Sequence, residues 1–124
     1  MIRAFLLFQA VVFGLFGIYS FLNPQATMEI LGAPSMSRMG IYEMRGIYGG
    51  VSIGAALLFL SGFLKDHMRH PALYFILAYG GGYVLARFAA MPLDGLPTSK
   101  MWVFVIFEVL STLIAFLLIR RLAK

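Results

Sequence analysis

The chain has no cysteine, one tryptophan and only five acidic residues among 124. The missing thiols exclude a disulfide framework, a thiolate metal site and thiol redox chemistry. Charge of either sign is scarce, at 12% of residues, against about 25% in soluble domains. Too little polar surface is left to cover a soluble globule of this size. Disorder is excluded on the opposite ground, because disordered segments are poor in apolar residues and rich in charge. Apolar side chains are what the chain has in quantity: 61% of residues, with a mean hydropathy of +0.90. A formal charge of +5 is compatible with a nucleic-acid partner, but the ten basic residues are spread thinly between apolar blocks. That distribution belongs to membrane topology, and no nucleic-acid partner is expected.

Four apolar blocks, about 2–22, 41–64, 71–91 and 99–119, are separated by polar breaks. Each is close to the roughly 20 residues that cross about 30 Å of hydrocarbon. A lone segment in lipid must satisfy its own backbone, so all four are predicted to be helices. No repeat or low-complexity linker divides the chain, and the expected architecture is an all-α integral membrane four-helix bundle forming one domain, 1–124. The first block is too long for a signal-peptide core and lacks an Ala-x-Ala site, so it is read as a retained span. Arg3, Lys65, Arg69, Arg120, Arg121 and Lys124 gather on one side and only Arg38 and Lys100 on the other. The positive-inside rule then puts both termini and the 65–70 loop in the cytoplasm. Tyr19, Tyr42 and Trp102 fall near the opposite ends, as an interfacial aromatic belt does. In the loop 23–40, Asn23 can cap, Pro24 suits a first helical position and Gly32 can end a turn, which predicts a short helix at the outer interface. In the loop 92–99, Asp94-Gly95 predicts a turn, and Thr98 or Ser99 can cap the last helix.

Gly46, Gly50 and Gly54 form a ridge of small residues at spacing four, a glycine zipper, and Ala78, Gly82, Ala86 and Ala90 form another. Such ridges let helix backbones approach closely in lipid. Packing within one bundle is the expected use, with a homodimer seam as the alternative. On this reading Gly50→Leu separates the second helix from its neighbour.

The informative residues are charged where charge is expensive, at about 2.5–3.5 kcal/mol for a mid-bilayer ion on insertion scales. Glu43, Arg45, Arg87 and Glu108 fall inside or at the edge of the spans. Counting about 1.5 Å per helical residue places both arginines roughly 6 Å, and Glu108 roughly 12 Å, below the outer boundary. Helical phase puts Tyr48 and Ser52 with Arg45, Tyr83 one turn from Arg87, and Ser111 and Thr112 beside Glu108. A buried polar cluster needs such hydroxyl companions. One account has Glu108 bridging Arg45, Arg87 or both to fix the bundle's register. The other leaves positive charge over for an anionic or carbonyl-bearing ligand, held by Arg45, Arg87, Glu108, Tyr48 and Tyr83, with Glu43 nearby. Intramembrane charges favour the second.

Other candidates carry less. His67 and His70 beside Asp66 are too few for a metal site. Gln9 is expected to hydrogen-bond between helices. Gly80-Gly81-Gly82 lacks the lysine and hydroxyl of a phosphate loop and reads as a flexible point or a close helix crossing. No nucleophile set, paired catalytic carboxylates or dinucleotide fingerprint is present, so no cofactor is implied and the reading leans away from an enzyme.

The block Glu43-Met-Arg-Gly-Ile-Tyr-Gly-Gly50 resembles that of a bacterial family of small four-helix membrane proteins, domain of unknown function 4345, whose general form is like the DoxX-like group. The Asn23-Pro24 exit, Arg87 before Asp94-Gly95, and Glu108 in the last helix follow in the same order. The resemblance implies a multi-pass protein of the bacterial inner membrane and no reaction. The functional expectation is a binding or accessory protein for a lipid headgroup, quinone-like molecule or small anion, or a subunit of a larger membrane complex. The alternative is a small proton-linked transporter in which Glu108 changes protonation.

Overall fold

The computed structural model describes residues 1–33 and 35–124. All regular structure among the described residues is helical: α1 (Ile2–Leu22), α2 (Pro24–Ile30), α3 (Arg38–Met44), α4 (Val51–Leu64), α5 (Arg69–Asp94) and α6 (Ser99–Leu122). Between α3 and α4 the helix continues as a π-helical stretch, Arg45–Gly50, and a turn of 3-10 helix, Asp66–Met68, leads into α5. Four segments are long and apolar enough to cross a membrane: Ile2–Leu22, Arg38–Leu64, Asp66–Asp94 and Ser99–Leu122. The chain divides into two compact units, Met1–Arg69 and His70–Lys124.

In the first unit α1 runs antiparallel to α4. Leu6, Gln9, Ala10, Gly17 and Ser20 are buried on α1, and Ser52, Ala55, Ala56, Phe59 and Gly62 on α4. Steps of three and four in both sets define one stripe per helix. Phe13 meets Phe59 edge to face, with ring centres 5.2 Å apart. The backbones close to their limit further along. A Cβ on Gly17 would stand 2.9 Å from the Ile53 nitrogen and 3.0 Å from the Gly49 carbonyl oxygen. A Cβ on Gly49 would stand 2.9 Å from the Phe21 Cβ. Both ends of the pair carry the same device. Arg3 Nε donates to the Phe63 carbonyl at 3.2 Å and lies 4.9 Å from that residue's ring centre. Arg45 Nη1 donates to the Phe21 carbonyl, with its guanidinium 5.5 Å from the Phe21 ring centre. Each arginine thus serves the last turn of the other helix, where carbonyls lack intrahelical partners and a cation suits the helix dipole.

The Gly46, Gly50 and Gly54 ridge does not form the seam between α1 and α4. A Cβ on Gly46 or Gly54 would meet nothing within 4 Å, and one on Gly50 would meet only the Arg45 carbonyl, at 3.9 Å. The tight seam uses Gly49, one residue earlier. Spacing four marks a column of small residues but not the direction it faces. Here the fit is set by Gly14 and Gly17 of α1, which meet Ala56 and Ile53. The π stretch adds to the change: the Val51 amide bonds the Gly46 carbonyl, five residues back, so phase counted at 3.6 residues per turn does not carry through it.

The local signals of the loops are realised in part. Pro24 occupies the first turn of α2, but the Asn23 side chain does not cap that helix; its amide points back to the Tyr19 carbonyl at 3.5 Å. Gly32, at φ 97°, ends α2 in the left-handed region. The Gly32 and Ala33 amides bond the Glu29 and Met28 carbonyls at 3.1 and 2.8 Å, the paired closure that such a glycine permits. The Thr98 side chain accepts from the Met101 amide at the start of α6. Pro92 does not stop α5, which continues to Asp94 and gives way at Gly95, φ 89°. A proline one turn from a helix end removes a single hydrogen bond where the helix is about to finish, so the loss is small.

Candidate functional site

In the second unit α5 and α6 approach through Gly80, where a Cβ would stand 2.6 Å from the Thr112 hydroxyl oxygen. The triple glycine is therefore a close crossing, with Gly80 at the contact and Gly82 facing open space. Two turns further along α5, Arg87 grips Glu108 with two parallel hydrogen bonds. Its Nε donates to Oε2 at 3.2 Å and its Nη2 to Oε1 at 3.0 Å. The side chains retain 26% and 14% of their exposure, so the pair is mostly but not wholly shielded. Tyr83, one turn before Arg87, lies under the guanidinium, 5.2 Å from ring centre to charge. The ring row continues down the same helix: Tyr83 to Tyr79 at 5.1 Å, and Tyr79 to Phe75 at 5.3 Å. Ser111 is buried one turn beyond Glu108.

A two-pronged guanidinium–carboxylate pair is the strongest form of ion pair, because two N–H donors match two oxygens in one plane. Within a segment apolar enough to span a bilayer, pairing is what makes either charge tolerable. The pair is neutral as a unit, and the guanidinium has five N–H donors, of which Glu108 takes two.

The sequence-predicted residues fall into two groups. Arg87, Glu108 and Tyr83 meet as described. Glu43, Arg45 and Tyr48 belong to the first unit, and each has different surroundings. Arg45 rests on Phe21, Tyr48 sets its ring edge-on to Phe16 at 6.1 Å, and Glu43 is exposed on α3. Sequence reasoning missed Phe21, whose backbone carbonyl holds Arg45. The available signal was Pro24, which ends α1 and leaves its last carbonyls to be served from elsewhere. Asp66 pairs with Arg69 at 2.7 Å, and the His70 ring lies 6.5 Å from that of Tyr74. Among the described residues no group of three or more His, Asp or Glu stands where it could hold a metal ion. Gln9 is fully buried on α1.

Four helices able to cross a bilayer, two of them joined by an ion pair within their apolar lengths, define a small multi-pass membrane protein. The chain belongs to the family described as domain of unknown function (DUF4345), which matches residues 1–119. No curated protein and no solved structure matches it.

Proposed function

We propose that this is a non-catalytic integral membrane protein of the bacterial inner membrane that binds a small ligand or serves a larger membrane assembly as an accessory subunit. Both termini lie in the cytoplasm, α2 rests at the outer interface, and Arg87, Glu108 and Tyr83 form the binding site in the outer half. The observation that supports this reading is the mostly shielded Arg87–Glu108 pair, with Tyr83 beneath the guanidinium. Glu108 orients Arg87, and the guanidinium edge left 26% exposed meets a polar head that carries carbonyl or phosphoryl oxygen. The Tyr79 and Tyr83 rings flank an apolar remainder. A quinone-like molecule or a lipid headgroup has that form. Its neutrality suits the pair to a carbonyl at least as well as to a free anion.

Purification in mild detergent followed by native mass spectrometry tests the proposal. The wild-type protein is expected to carry a non-protein mass or a partner chain that Arg87→Ala loses. If wild type carries nothing and the variant behaves identically, the proposal fails. Topology is tested separately, because the chain has no cysteine. Single cysteines at Ser37 and Leu96 are expected to react with an impermeant maleimide outside intact cells, and one at Lys124 only after lysis.

A further inference from the structure

We propose a second site: the face carrying Arg38 and Tyr42 of α3, and Arg45 at the start of the π-helical stretch, binds the phosphate of an anionic membrane lipid. The site goes beyond the Arg87–Glu108 reading and needs only that Arg38–Leu64 crosses the bilayer.

Seven residues make two helical turns, so Arg45, the residue that follows α3, shares a face with Arg38, and Tyr42 falls between them. Arg38 is exposed, Tyr42 is 72% exposed, and Arg45 is half-buried at the inner end of the row. Among the described residues of the first unit neither arginine has an acidic partner. Of the five acidic residues, Glu108 is taken by Arg87 and Asp66 by Arg69, while Gln25 bonds Glu29 at 3.3 Å. Glu43 is two positions from Arg45, a spacing that places side chains on different faces of a helix. Within the first unit Arg45 therefore brings a cation with no acidic partner into an apolar span. Its bond to the Phe21 carbonyl and its place over the Phe21 ring hold the guanidinium in position and use one of its five donors.

Depth identifies the counter-charge. A 27-residue span is about 40 Å long and exceeds the hydrocarbon by about 5 Å at each end. Arg45, seven residues in, then lies roughly 5 Å below the boundary, within reach of the layer where lipid phosphates sit. A guanidinium engages phosphate oxygens in the same forked geometry it uses for carboxylates. Arg38, two turns outward, adds a second cation at headgroup level, which favours a lipid of net negative charge over a zwitterion. A phenol such as that of Tyr42 belongs at this level.

The test is native mass spectrometry of the full chain in mild detergent, titrated with phosphatidylglycerol, phosphatidylcholine or inorganic phosphate. Each arginine at a membrane surface contributes a factor of about five toward anionic lipid. Arg45→Gln is expected to lose phosphatidylglycerol retention about fivefold, and the Arg38→Gln/Arg45→Gln pair about 25-fold, by the same factor. Inorganic phosphate in excess is expected not to displace the lipid. Wild-type retention by helical Arg45→Gln overturns the proposal, as does displacement by inorganic phosphate, which makes a free anion the ligand. If Arg87→Ala loses the lipid and Arg45→Gln keeps it, this site is removed and the Arg87–Glu108 reading stands. Should Arg45→Gln not fold, Arg38→Gln alone, with its expected fivefold loss, decides.

Discussion

Gly17→Ala is the sharpest probe of the first unit. The new methyl would stand 2.9 Å from the Ile53 nitrogen and 3.0 Å from the Gly49 oxygen, both backbone atoms. Neither can turn aside as a side chain does, so α1 and α4 must separate. A gap of about 0.5–1 Å forfeits a quarter to a half of each dispersion contact along the seam. Overpacking of this kind costs about 1–3 kcal/mol. Replacing glycine inside a helix returns about 0.5–1 kcal/mol through lost backbone freedom. The difference leaves a net destabilisation of up to about 2.5 kcal/mol. Gly54→Ala supplies the contrast: its methyl meets nothing within 4 Å, so only the favourable term remains and stability rises by up to about 1 kcal/mol. Both follow from reversible unfolding in mixed micelles, read by circular dichroism. The lone tryptophan, Trp102, lies in α6 of the second unit. If Gly54→Ala proves as damaging as Gly17→Ala, the seam has been assigned to the wrong column.

Other outcomes are equally open to measurement. Arg87→Ala strands a mostly shielded carboxylate and is expected to destabilise the second unit by about 1–3 kcal/mol, whereas Arg87→Met/Glu108→Leu is nearly neutral; a double-mutant cycle in micelles measures the coupling. Because both carboxylate oxygens are held by Arg87, Glu108→Gln is expected to leave proton flux in proteoliposomes at the wild-type level, and a collapse of flux would favour the proton-linked carrier. A π turn is an α-helix with one residue too many, so deleting Gly50 is expected to leave expression and melting temperature closer to wild type than deleting Gly54, which rotates one half of α4 against the other. Gly32→Ala, forced into φ 97°, is expected to cost about 1 kcal/mol and to increase proteolysis after α2.

The spans could be read because lipid imposes a length, and that length shows as an uninterrupted apolar run with polar residues at its ends. Arg87, Tyr83 and Glu108 were legible for a related reason. Charges in such runs are few enough that their partners can be counted, and a four-residue spacing brings Tyr83 under Arg87. The partner of Arg45 was hidden, because a backbone carbonyl accepts equally whatever side chain stands there, and nothing spells out that of Phe21. The π stretch was hidden too: Gly-Ile-Tyr-Gly-Gly is compatible with either winding, and the press of Phe21 against Gly49 is a long-range contact. The glycine columns misled because smallness reports tolerance for a neighbour without saying whether one arrives.

Two apolar rods in oil glide lengthwise at little expense, since each slipped contact is exchanged for another of the same kind. The guanidinium clasps at the two ends of α1 and α4 remove that freedom. A slide of one residue, about 1.5 Å, draws both Arg3 and Arg45 off their oxygens together. The height at which Arg45 is presented is thereby fixed in part by Arg3, whose clasp joins residues 60 positions apart at the opposite pole. A change at that remote tip would be felt as a vertical offset of the polar face, with no residue of that face altered.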